Sequence, residues 1–136
     1  MMAQSDNVQF VNPPTLPASR GYTQVVIAPA GRMAHISGQV ALDTSGAIVG
    51  PGDFKAQARQ VFENLKAALA AGGASFADAV KITIFVLDMA NLPALREIRD
   101  EYVNTERPPA STAVQVSRLA REEFLLEIEA VAALPA

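Results

Sequence analysis

The sequence predicts an α+β fold in one domain spanning residues 1–136: a mixed β-sheet with two helices packed on one face. Three observations predict it. Apolar residues recur at steps of three and four between residues 54 and 69, the spacing of a one-faced helix. The segment FLLEIEAVAAL near the end alternates apolar and acidic residues, the spacing of a strand with two different faces. Strand-like and helix-like runs follow one another as β-β-α-β-α-β-β, and a strand-helix-strand passage needs a crossover, so the sheet is mixed.

The elements follow in order. Residues 1–20 read as an extended arm, because VNPPTLPAS carries three prolines. Residues 23–28 (TQVVIA) and 32–42 (RMAHISGQVAL) read as strands around the turn Pro29-Ala30-Gly31, which predicts a hairpin. After the turn Asp43-Thr44-Ser45-Gly46, residues 47–49 form a short strand or an apolar anchor. Gly50-Pro51-Gly52 breaks the chain, and Asp53 is placed to cap the first helix. Its stripe is Phe54, Ala58, Val61, Phe62, Leu65, Ala68 and Leu69, and Gly72-Gly73 supplies the stop. Residues 81–87 (KITIFVL) are β-branched and aromatic at both parities, which predicts a central strand buried on both faces. Asn91 is placed to cap the second helix, with Pro93 tolerated in the first turn and Leu92, Leu95, Ile98, Tyr102 and Val103 as the stripe. Pro108-Pro109 end that run, and residues 112–117 and 124–133 read as the last two strands.

Composition narrows the function. Only 18% of residues are charged while half are apolar, so part of the surface is expected to be covered by other copies of the chain; an Ala-rich monomer is the alternative. There is no cysteine, which excludes disulfide and thiolate chemistry. The single histidine, His35, lies mid-strand and reads as structural; a histidine-based metal site would need carboxylates or a second copy, so no metal site is expected. A net charge of −3 and a pI near 5.1, with scattered basic residues, argue against nucleic-acid binding. No 18-residue apolar run is present, and the polar start lacks a signal peptide's core, so no membrane partner and a cytoplasmic location are expected. Neither a phosphate loop nor a nucleophile triad has its spacing here.

Three places invite a ligand. On the last strand, Leu126, Ile128, Ala130 and Ala132 share the helix-facing side, while Leu125, Glu127, Glu129, Val131 and Ala133 share the other. The two carboxylates are about 6.6 Å apart among apolar neighbours. They mark either an open, solvated face or a pocket or subunit seam, where desolvation makes a carboxylate a usable acid or base. Ser37-Gly38-Gln39 interrupts an apolar strand, as a bulge, a close backbone approach or a plain irregularity. In ERPPASTAVQVSRL, the strand mouth after two prolines carries the small hydroxyls Ser111 and Thr112 and no charge.

Six motifs in order give the chain a resemblance to the RidA (YjgF/YER057c/UK114) family, from about Tyr22 to Val131. They are ISGQV, AQARQVFENLKAAL, AGGASFADAVKITIFVLDM, the RPPAST mouth, QVSRL and EIEAVA. The resemblance implies a chorismate-mutase-like fold assembled as a barrel-forming homotrimer with three clefts between subunits. It implies hydrolysis of enamine or imine metabolites without a cofactor. Carried over by position, the water-handling glutamate falls on Glu127, the tyrosine that packs over the ligand on Tyr22, and the cleft-lining segment on Ser37, Gly38 and Gln39. The carboxylate-clamping arginine does not carry over. Active members read Pro-Ala-Arg-Ser where this chain reads Pro109-Ala110-Ser111-Thr112, so Ser111 stands in its place. A bidentate guanidinium–carboxylate pair contributes about 1.5–3 kcal/mol, so imino acids are expected to bind roughly ten- to a hundredfold worse. The substrate range is then altered, or Arg96 or Arg107 supplies the cation, or the trimer is a non-catalytic small-molecule sensor using the same cleft. The ribonuclease activity attributed to some family members is disfavoured by the acidic charge and the single histidine.

Overall fold

The computed structural model describes residues 8–29 and 31–135. Eight regular elements run in the order β1 (Gln9–Val11), β2 (Val25–Ile27), β3 (Met33–Gln39), α1 (Phe54–Ala71), β4 (Ala79–Val86), α2 (Leu92–Arg99), β5 (Ala110–Gln115) and β6 (Leu126–Ala133). Four strands form the main sheet in the order β3-β6-β4-β5. β6 is antiparallel to both β3 and β4, and β5 is parallel to β4, the crossover that α2 supplies. The sheet is therefore mixed, with two helices on one face, as the sequence predicts.

The alternation of β6 decides which face is buried. Leu126, Ile128, Ala130 and Ala132 are buried against the helices, while Glu127 and Val131 are half-buried and Glu129 is exposed on the opposite face. Ile82, Ile84 and Val86 of β4 join that inner layer beneath Val61, Phe62, Leu65 and Leu69 of α1 and Leu95 and Ile98 of α2. Each such side chain contributes about 1.5–3 kcal/mol by leaving water, so this layer dominates the stability of the fold. Tyr102 stacks on Phe62 with centroids 5.2 Å apart and keeps its hydroxyl outward. Asp53 caps α1 by accepting from the Ala56 N–H at 3.1 Å.

Several expectations need correction. The expected hairpin does not form: β2 pairs with β1 in a separate two-stranded ribbon, while β3 pairs with β6. The short Pro/Gly turn has the right composition, but β6 offers β3 a longer register of apolar partners. The arm is not wholly loose, since β1 lies within it; residues 1–7 of the arm and Ala30 of the expected turn lie outside the described residues. Residues 47–49 contribute only an isolated bridge, Leu42 to Ile48. β4 alternates rather than burying both faces: Lys81, Thr83 and Phe85 are half-exposed on the side away from the helices. The Asn91 side chain, expected to cap α2, makes no cap hydrogen bond. α2 ends at Arg99, yet Tyr102 and Val103 still pack on the core from the turns that follow.

Candidate functional site

The residues expected at the site fall into two groups, one on each face of the sheet. On the face away from the helices, β3 is irregular between Ile36 and Gln39. The irregularity brings the Gly38 backbone against the side chain of Glu127, so closely that a Cβ at position 38 would collide with the carboxylate. Glycine lets the carboxylate lie this close, the close approach that an interrupting glycine signals in a strand. Gln39 folds back, its Nε2 donating to the Ser37 carbonyl at 3.0 Å. Across β6, Glu127 faces Phe85 of β4. Ser37, Gly38, Gln39 and Glu127 are thus brought together.

The second group lies at the β5 edge, on the helix side. β5 pairs Ser111 with Ile82 and Ala113 with Ile84, both inward-facing, so their side chains point towards α2. Thr112 points the other way and accepts from Lys81 Nζ at 2.6 Å; it does not share a pocket with Ser111. The chain ahead of β2 is stitched to the mouth of β5. The Thr23 N–H donates to the Pro109 carbonyl at 3.2 Å, and the Thr23 hydroxyl donates to that of Pro108. This stitch sets Tyr22 beside Ser111.

Between them opens a cavity of about 260 Å³. Its apolar floor is Ile84, Leu95 and Ala113, and its polar lining is Tyr22, Ser111, Arg20, Arg96 and Arg99. Three arginines therefore line the cavity beside the position where the clamp is missing. Arg96, expected as one compensating cation, lines this cavity. Arg107, the other, does not: it lies over the Phe10 ring at 4.6 Å and donates to the Val8 carbonyl at 3.1 Å, engaged by the ribbon. Sequence reading missed Arg20 and Arg99. The signal for Arg99 was present, since Arg96 and Arg99 follow Leu92 and Leu95 by four residues and so flank the apolar stripe of α2.

Within one chain the two groups do not meet. β5 and β6 are separated by β4, about 9–10 Å apart, and Ser111 and Glu127 leave the sheet on opposite sides. A single site containing both needs a second copy of the chain.

Comparison with known proteins places the chain among relatives of the same size. It is 43% identical over 111 residues to the protein DfrA of Myxococcus xanthus, covering 82% of this chain and 83% of that one. It is 38% identical over 103 residues to the 3-aminoacrylate deaminase RutC of Acinetobacter baylyi, covering 76% and 80%. Among solved structures, the conserved Rid-family protein YyfB of Yersinia pestis superposes with a TM-score of 0.84 at 37% identity, covering 94% of this chain and 99% of that one. The family profile described as Endoribonuclease L-PSP matches residues 14–134, and with this likeness in sequence and fold the chain belongs to the RidA (YjgF/YER057c/UK114) family.

Proposed function

We propose that the protein is a cofactor-independent hydrolytic deaminase of an imine or enamine metabolite, working as a homotrimer with its sites between subunits. Its substrate range is altered because Ser111 replaces the arginine. The observation that supports this is the Glu127 carboxylate seated against the Gly38 backbone, beside the irregular Ser37–Gln39 segment that the family resemblance assigns to the cleft. Glu127 accepts a proton from water as the oxygen adds to the C=N carbon, and the nitrogen is protonated. The carbinolamine then collapses, its C–N bond breaks, and a carbonyl compound and ammonia leave. Tyr22 packs over the ligand, and Ser111 offers it a hydroxyl in place of a charge. A non-catalytic ligand sensor is the second reading, favoured by the neutral Ser111 itself.

The test is ammonia release from 2-iminopropanoate generated in situ. Little turnover is expected from the protein as it stands, and Ser111→Arg is expected to raise it by roughly tenfold or more. Brisk turnover without that substitution would overturn the reading of Ser111. Once an accepted imine is in hand, Glu127→Gln must abolish its hydrolysis; retained turnover would overturn the role given to Glu127, whereas binding of imines with no hydrolysis of any would leave the sensor reading standing.

A further inference from the structure

The cavity beside Ser111 is not short of positive charge; the charge has a different address. Arg20, Arg96 and Arg99 all line it, and no carboxylate does. Arg99 is the informative member, because arginine is rarely buried without a partner and this residue is only 6% exposed. Its Nε donates to one oxygen of the half-exposed Asp100 at 3.0 Å, and its Nη2 lies 2.9 Å from the same oxygen as an ion pair. Nη1 is left without a protein acceptor among the described residues. The guanidinium is also seated under the backbone of Gly21, where φ is +80° and a Cβ would collide with it. A buried, positioned guanidinium with donors to spare, joined by two more from the rim, fits an anion better than it fits the core.

We infer that these three arginines form an anion pocket on the α2 side of the cleft, which takes the charged group of a small carboxylate ligand. Calling that ligand a substrate rests on the deaminase reading. The displacement specifies its class. In a 2-imino acid the carboxylate is bonded to the reacting C=N carbon, so its clamp must sit close to that carbon, on β5. With two of the cations on α2 and the third on the loop ahead of β2, none on β5, the fitting ligand carries its carboxylate one or more carbons further from the C=N bond. The 260 Å³ cavity suits a small metabolite.

Calorimetric titration with unreactive oxo acids tests this on the full chain. The expected result is that 4-oxopentanoate binds roughly tenfold or more tightly than its methyl ester and than 2-oxobutanoate, with affinity that falls as salt is added. Arg99→Met should remove most of that preference. Because a buried change can unfold the protein, the Arg20→Gln/Arg96→Gln double variant, at exposed positions, is the second arm and should weaken the acid roughly tenfold while leaving the ester unchanged. Equal affinity for acid and ester, or an unchanged acid affinity in the double variant, would overturn the pocket. The two ideas fail separately. Anion binding without hydrolysis of any imine sinks the deaminase and keeps the pocket, whereas hydrolysis with no preference for an anion does the reverse.

Discussion

At Gly38 one missing carbon lets the Glu127 carboxylate lie against the backbone, and adding that carbon would displace it. A Cβ there meets the Glu127 side chain from its carboxylate back to Cγ, which can swing aside, and no backbone. Gly38→Ala is therefore expected to change stability by less than about 1 kcal/mol while cutting ammonia release roughly tenfold or more; thermal melts and the deamination assay measure the two effects. Tyr102 gives an independent check on the core. Burial, and then donation of its O–H to Glu63 at 2.7 Å, push its phenol up to about 12. Because the folded state favours the neutral phenol, this stabilisation is complete below pH 10 and is lost as pH rises towards 12. Tyr102→Phe should cost about 1 kcal/mol at pH 9, and the gap to the parent protein should close at higher pH in urea unfolding. Site residues were legible unevenly. Gly38 and Glu127 announce themselves by breaking a strand's apolar pattern. Arg99 looks like any helix arginine until the loop of Gly21 is folded over it, a contact between residues 78 positions apart that no local pattern encodes.

Between elements, Gln57 does what the apolar stripe of α1 cannot. It is fully buried, donates to the carbonyls of Gly50 at 3.2 Å and Glu123 at 2.8 Å, and accepts from the Leu125 N–H at 2.9 Å. One amide thus fastens the turn before α1 to the entry of β6, the strand that carries Glu127. Gln57→Leu preserves shape and strands the Glu123 carbonyl and the Leu125 N–H without partners, while the Gly50 carbonyl keeps the Asp53 N–H, so a cost of about 2–4 kcal/mol is expected, read from the urea midpoint. Gln57 stands four residues before Val61, in line with the stripe, but a polar side chain at a stripe position does not say what it ties. The helices, the central strands and the faces of β6 were legible because period 3.6 and period 2 are local properties. Partner choice was not. β2 and β3 look like a hairpin in sequence, and only the competing edges of β1 and β6 separate them.

The helices cover one face of the sheet, whereas the other is covered at one end only, where the ribbon packs Phe10 and Val26 over Val131 and Ala133. The rest presents Val114 and Met33 exposed, Phe85 and Glu127 half-buried, and Thr112 tied to Lys81. An open apolar sheet face on a chain with so little charge is a surface to be covered, and the split between Glu127 and Ser111 calls for the same remedy. A homotrimer that covers this face of one copy with the β5 edge of the next would answer both, bringing the acid of one copy towards the arginine-lined cavity of its neighbour. Sedimentation equilibrium is expected to give three times the 14.4 kDa chain mass. Val114→Asp places a charge on that face at its β5 edge without touching the inner core. It should return the mass to that of one chain and abolish imine hydrolysis, while the helical circular dichroism is retained. A monomeric variant that still releases ammonia in a Glu127-dependent manner would show that one chain suffices, and the reason for assigning the two faces to one site would be gone.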